Sequence, residues 1–522
     1  MTDDRPRQTR REHLYSIGAG ASTLTLASLA PTTDPGLLGW SAPDGAVSHS
    51  DDRFSWIIPV EGEDASARAD NLDALEDELG SYDTTSILGD RRHDAAGTLS
   101  AVAPVDAIGA RTRDRLLGER GIAALEYIDT SGIEINRTVT LAEPLTPESS
   151  DAWQDFGALE STILSAVGGG VPQPDGVAFD SDMEQTAMQA AREATAATSA
   201  DTTLPDTSSV TVAVADTGVT NAAYLDDADG NSRLLADSTN FTADGDPTGR
   251  DAVADGNGHG SWCAACLAAR TPSDATLEGF LPAASVLGLK ALDDEGSGSL
   301  DNIAAAIRAA GDAGVDVLNL SLGSPQYSTS IANALEYAVS EGVIPVAANG
   351  NDRQATRWVS PPASSEHTIA VGATTVDPPS EALSAYYSNI GPHNGVTDGS
   401  GGQTQGAMPD VAAPGCTLEA AGEGAKTGTS MAGPVAAGVI GLYVADSGET
   451  DLETVRDELQ RTAEPIPKAA TEEVGHGMPN AANLLAGTEP DEDQESAETD
   501  EAAARGGAYD AMSGSWLFRQ VS

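Results

Sequence analysis

The chain has 522 residues, enough for about three to four domains, and 81 acidic against 27 basic side chains leave a formal net charge of −54 and a pI near 4.1. Such a field repels nucleic acid and anionic bilayers, which argues against phosphate-backbone binding and against stable membrane association. With 40% hydrophobic residues in recurring Val, Ile, Ala and Gly runs, the chain reads as a folded protein with an acidic, well-hydrated surface rather than a disordered one, and its three cysteines, Cys263, Cys266 and Cys416, make no disulfide framework.

Residues 1–30 resemble an export signal of the twin-arginine kind. Arg10-Arg11 precedes an uncharged stretch, Tyr15–Thr33, that contains a small-residue cleavage neighbourhood at Leu29-Ala30. The expected location is therefore extracellular. Residues 52–138 are expected to form a small α+β module. Phe54–Val60 is an apolar strand, Arg68–Leu79 a helix with Leu72, Leu75 and Leu79 on one face, and Thr98–Ala110 a strand. Arg111–Ala124 is expected as a second helix and Ile133–Val139 as a closing strand. Residues 139–205 read as a linker and the start of a further region. Gly168-Gly169-Gly170 with Pro172 and Pro174 marks a flexible stretch, and Met183–Ala197 a polar, Ala-rich helix. Residues 206–486 alternate strands with helices, the pattern of an α/β fold with a mostly parallel sheet covered on both faces. The acidic run Glu489–Glu501 opens a solvated tail over 487–522.

Three segments of the α/β region carry chemistry. An apolar strand, Val210–Ala215, ends in Asp216-Thr217-Gly218, at the strand end where ligands gather in such sheets. Asp255-Gly-Asn-Gly-His259-Gly260-Ser261 sets an imidazole among small residues that permit close approach. Gly428-Thr429-Ser430-Met431-Ala432 places a serine at the start of an apolar helix. Taken singly, these are a turn-capping Asp, a structural His and a helix N-cap. Together they supply a nucleophile, a base and a carboxylate to orient the base. Their order, Asp216, His259, Ser430, differs from that of α/β-hydrolases, and Gly428–Ala432 lacks the last glycine of G-x-S-x-G.

In that order the three signatures resemble those of subtilisin-like serine proteases, and among them the haloarchaeal extracellular halolysin type. The resemblance implies a subtilisin-like three-layer peptidase domain over 206–486. It implies a serine endopeptidase working through Asp216, His259 and Ser430 on protein or peptide substrates, with no cofactor needed for the chemistry. Gly350-Asn351 is similar to the segment whose amide completes the oxyanion hole, so Asn351 is the expected donor and Asn349 the competing one. Ser321-Leu322-Gly323 is similar to the strand beside the primary specificity pocket, and Gly296-Ser297-Gly298 to the edge that pairs with substrate backbone. The module at 52–138 is similar in element order to the propeptides of these proteases, which assist folding and occupy the cleft until cleaved, so the chain's own propeptide is an expected partner. Calcium is common in the family, and Asp227, Asp229 and Asn231 are the candidate ligands for a structural ion. Cys263 and Cys266, spaced C-x-x-C without a second pair, are expected to pack a helix rather than bind zinc.

The segment also departs from the family pattern. Trp262 and Val435 stand where histidines are usual, and Pro345 falls in a strand expected to be central. Two alternatives stay open: a catalytically silent binding or scaffold protein, and an intracellular processing protease.

Overall fold

The computed structural model describes residues 46–141 and 177–490. Within these, 51–52, 82–84, 105–107, 109–110, 113–114, 117–124, 130–132, 179–184, 201, 244, 325–326, 354–357 and 392–406 are not described. The expected export signal, most of the linker and the tail beyond residue 490 lie outside the described residues.

Strand β1 (Arg53–Pro59) pairs antiparallel with β3 (Thr98–Pro104), which pairs with β2 (Ser86–His93). Helix α1 (Ala65–Gly80), capped by the Asp64 carboxylate, lays Leu72, Leu75 and Leu79 against the sheet. The period-two alternation of β1 sorts its side chains. Phe54, Trp56 and Ile58 join the core beneath α1, whereas Ile57 joins the core of the larger α/β unit. The expected second helix is not formed where it is described, because Arg111–Thr112 and Arg115–Leu116 pair as a short antiparallel hairpin. The expected closing strand divides as well. Its first part, β4 (Glu134–Ile135), pairs with β1, and β5 (Thr138–Thr140) leaves that sheet altogether. The helix expected over Met183–Ala197 is shorter, Met188–Ala194, and follows a two-residue strand at Thr186–Ala187.

The larger unit is built on parallel strands β6 (Thr211–Asp216), β7 (Ser285–Lys290), β9 (Val317–Leu320), β10 (Ile344–Ala348), β11 (Ile369–Thr374) and β12 (Val411–Pro414), with β8 (Ser297–Ser299) apart from them. They lie in the order β7, β6, β9, β10, β11, with β12 also on β11. Such strands are buried on both faces, and the alternation shows which side chain meets which layer. Val212 and Val214 pack with α2 (His259–Ala268) and α5 (Thr429–Ser447). Ala213 and Ala215 pack with α3 (Leu300–Ala313) and α4 (Thr329–Ser340). This is the expected three-layer α/β fold. Helix α5 is apolar on every side because it runs through the core, and among the described residues no helix is long and apolar enough to cross a membrane.

Two prolines sit in these elements at a small cost. Pro345 lies in central strand β10, but its neighbour Ile344 donates to Asp316 on the β9 side, and the ladder with β11 begins only at Val346. The missing donor therefore falls just before the ladder it would serve. Pro434 offers no N–H to the Ser430 carbonyl four residues back. That carbonyl instead accepts the Ser321 hydroxyl at 2.8 Å.

The two units meet at the starts of α3 and α4. Arg91, 7% exposed, forms an ion pair with Asp246, lies 3.4 Å from Asp301, and donates to the Phe241 carbonyl at 2.6 Å. Asn136 accepts the Asp301 N–H in the first turn of α3, and Glu134 accepts the Ser330 N–H at 2.7 Å in the first turn of α4. Burial pushes the Glu134 carboxyl up, and the hydrogen bonds from Ser330 and Ser328 oppose that shift. Strand β5 then runs antiparallel along β8, Thr140 opposite Ser297 and Thr138 opposite Ser299, and the Leu141 N–H continues the pairing onto the Gly296 carbonyl at 2.8 Å.

Candidate active site

Strand β6 delivers Asp216 to the carboxyl edge of the parallel sheet, the edge at which loops converge. His259 opens α2, after Gly258 turns the chain with φ of 85°. The two side chains are buried together, and Asp216 Oδ1 lies 2.8 Å from His259 Nδ1 while also accepting the Thr217 N–H at 2.7 Å. This approach requires the glycine at 260. A Cβ there would stand 2.2 Å from the Gly218 carbonyl and 2.9 Å from Asp216 Cβ. With Nδ1 facing a carboxylate, the neutral ring carries its proton on Nδ1 and leaves Nε2 an acceptor. His259 Nε2 has no hydrogen-bond partner among the described residues.

Ser430 sits in the first turn of α5, buried among the ends of the sheet strands. Its hydroxyl donates to the Ser321 carbonyl at 3.2 Å rather than to His259. Resting hydroxyls of this kind are often turned aside without substrate. Cys263, one turn after His259, offers a sulfur whose neighbours include both partners: ligand atoms of Asp216, His259 and Cys263 lie within 4.8 Å of one another. Its thiol also points to the Ser430 carbonyl, at 3.7 Å. Cys263 is therefore packed, as expected, but packed beneath the site. Burial pushes its thiol well up, and the charge of Asp216 adds to that. A raised thiol pKa disfavours the thiolate, the nucleophilic form.

Of the two candidate amides, Asn351 is the one beside Ser430. Its Oδ1 accepts both the N–H and the hydroxyl of Thr429 at 2.9 Å, which leaves Nδ2 directed away from Thr429 and near Gly428. Asn349 is fully buried and donates to the Asn389 carbonyl at 3.3 Å, while Asn389 Nδ2 returns a bond to the Asn349 carbonyl at 3.2 Å. The turn between them needs Gly350, with φ of 103° and a Cβ that would meet Asn389 Nδ2 at 2.5 Å.

The residues expected to bind substrate fall in two places. Gly296, Ser297 and Gly298 lie under β5 and Leu141. Ser321 turns its polar atoms to Ser430, Leu322 is buried, and Gly323 faces Ser360 and the Pro361 carbonyl across 3.6–3.7 Å as measured from a Cβ. Ser360 and Asn389, hydrogen-bonded at 3.0 Å, are residues that no sequence signal had marked. Glu423 is another such residue. Tyr224 donates to it at 2.8 Å, and its other oxygen lies 3.7 Å from where a Gly258 Cβ would be. Burial, and to a lesser degree Asp255, raise its carboxyl, while Tyr224 and Lys426 oppose. The Asp227–Asn231 turn closes on itself. Asp227 Oδ1 accepts the Asp229 and Asn231 N–H groups at 2.8 Å, and the Asn231 amide approaches both oxygens. The Asp227 carboxylate is thus engaged by donors of its own turn.

The elements from β6 to α5 lie in residues 207–483, which match the subtilase family. The chain belongs to that family. Over 278 residues it is 33% identical to subtilisin Savinase of Lederbergia lenta, covering 52% of this chain and 90% of that protein. Over 221 residues it is 33% identical to thermitase of Thermoactinomyces vulgaris, covering 41% and 71%. A thermophilic serine proteinase of a Bacillus strain is 36% identical over 219 residues, 41% of this chain but only 49% of that relative. Within this subtilase, the two unusual residues near the site are accommodated in the core. Trp262 is fully buried and donates to the Gly424 carbonyl at 3.0 Å, and Val435 is buried in the same apolar cluster.

Proposed function

We propose that this subtilase is an exported serine endopeptidase made as a precursor, with Ser430 as nucleophile, His259 as general base and acid, and Asp216 as the carboxylate that orients it. The supporting observation is the buried Asp216–His259 pair, whose Nε2 has no hydrogen-bond partner among the described residues, together with Cys263, whose sulfur lies with that pair and 3.7 Å from the Ser430 carbonyl. Rotation about the Ser430 side-chain bond frees its hydroxyl from Ser321. Oγ then bonds to the scissile carbonyl carbon as its proton passes to Nε2. The carbonyl oxygen becomes an oxyanion, met by Asn351 Nδ2 and the Ser430 N–H. Collapse breaks the C–N bond, and His259 returns the proton to the leaving amine. Water, deprotonated by the same imidazole, releases the acyl group.

The antiparallel pairing of Thr138–Thr140 with Ser297–Ser299 is how an extended peptide adds to a sheet edge. It supports reading the chain's own N-terminal module as a propeptide that covers this edge before maturation.

Treating the extracellular protein with a fluorophosphonate in high salt, followed by peptide mapping and intact mass, tests the assignment. The expected product carries one adduct on Ser430 and lacks the N-terminal module. A folded, mature protein that takes no adduct sinks the protease reading in favour of a silent scaffold. Recovery solely from cytoplasm with residues 1–30 intact points instead to intracellular processing. The acidic surface adds a second expectation. Self-repulsion is screened as salt rises, so activity and melting temperature should both increase from dilute buffer to molar salt, and the opposite trend would contradict a halophilic setting.

A further inference from the structure

We propose that Asp255 and Thr217 form a clamp that sets the geometry of the Asp216–His259 pair, acting as positioning residues for the reaction. The inference rests on the protease reading given above. Asp216 and His259 come from elements separated by 43 residues in sequence. Asp216 Oδ2 has no hydrogen-bond partner among the described residues, so the carboxylate is aimed through Oδ1 alone, by the Thr217 N–H and by His259 itself. A second link between the two elements is then needed to hold the pair in register.

Ser261 Oγ, bonded to Thr220, ties the segments further along, and nearest the pair the link is a ring of hydrogen bonds. Asp255 Oδ1 accepts the Asn257 and Gly258 N–H groups at 3.0 and 2.8 Å, and Oδ2 accepts the Ser261 N–H at 2.8 Å. So far this is a carboxylate capping the start of α2, where a negative charge is favourable. But Oδ1 also accepts the Thr217 hydroxyl at 2.9 Å, which crosses to the strand end bearing Asp216. The same hydroxyl oxygen accepts the Gly260 N–H at 3.0 Å. The backbone on both sides of His259 is thus tied to the residue that follows Asp216. Thr217 is fully buried, so no water replaces its hydroxyl. A helix cap alone would not need the hydroxyl. The ring needs it both as donor and as acceptor.

The test uses the mature protein with Thr217→Val, which keeps the shape and deletes both hydroxyl bonds, and Thr217→Ser, which restores them. Misplacement of a reacting group by about an ångström costs on the order of 10²-fold, so Thr217→Val should lower kcat about 10- to 100-fold with KM within about twofold, and Thr217→Ser should recover kcat to within about threefold. A purely structural role would lower the yield or Tm of Thr217→Val and leave its kcat, per titrated site, unchanged; that result overturns the clamp, as does an equal fall for Val and Ser. If Thr217→Val is not recovered folded, Thr217→Ala and Asp255→Asn are read by the same kcat criterion. Wild-type turnover in the same assay separates the two levels: none at all sinks the protease reading, whereas turnover indifferent to these variants sinks the clamp alone.

Discussion

Ser430→Ala should lower kcat for a peptide p-nitroanilide by about 10⁶-fold while leaving the fold intact. The magnitude is that for removing the nucleophile of subtilisin, a member of the same family, and is transferred from it. The geometry gives no substitute. Cys263, whose sulfur is grouped with Asp216 and His259, is fully buried, and burial pushes its thiol up. What remains should be the residue of rate due to substrate positioning and the oxyanion donors, about 10³–10⁴ over water. Because the three groups act as a unit, adding His259→Ala to Ser430→Ala should cost little more. A Ser430→Ala protein that keeps a tenth of wild-type activity would remove Ser430 from the mechanism.

Asn351→Leu is the second large effect, a fall in kcat of about 10²–10³ with KM nearly unchanged, because the donor acts on charge that develops only in the transition state. The side chain has a second task, since its Oδ1 holds both polar groups of Thr429. Leucine removes both functions, so Asn351→Asp is the discriminating partner: it keeps an acceptor for Thr429 and loses the N–H. If the role is catalytic, Asp should be as poor as Leu or worse, as a carboxylate would face the oxyanion. If Asp restores kcat, Asn351 serves only to hold the turn. Asn349→Ala, which empties a buried amide site bonded to Asn389, should instead lower Tm with KM and kcat moving little per folded molecule.

These two variants rest on residues that are legible in the sequence because their signals are local. A strand buried on both faces announces itself as Val212–Ala215, and a turn that needs glycine at 218 or 350, or a close approach that needs one at 260, leaves a glycine there. The chain order Asp216, His259, Ser430 then narrows the scaffold before any contact is known. Signals that depend on distant partners leave no such trace. Ser360 and Asn389 look like ordinary loop residues until the chain folds them into hydrogen-bond contact. Asp255 carries no role in the sequence, and its bond to Thr217 spans 38 residues. The helix expected over Arg111–Ala124 shows the converse error: its described start pairs as a hairpin.

Sequence alone determined the chemistry on offer, since side-chain types and their order are covalent facts: one carboxylate, one imidazole and one hydroxyl set among small residues, on a chain carrying −54. Asn351 was already the expected donor at that level and Asn349 the competing one. Only the tertiary structure shows what each amide bonds to and which strand lies along Ser297–Ser299. Burial and hydrogen-bond satisfaction act between residues far apart in the chain, so Asn349 is spent on Asn389, Asn351 is turned to Thr429, and Thr138–Thr140 lies across Ser297–Ser299 because those backbone groups need partners.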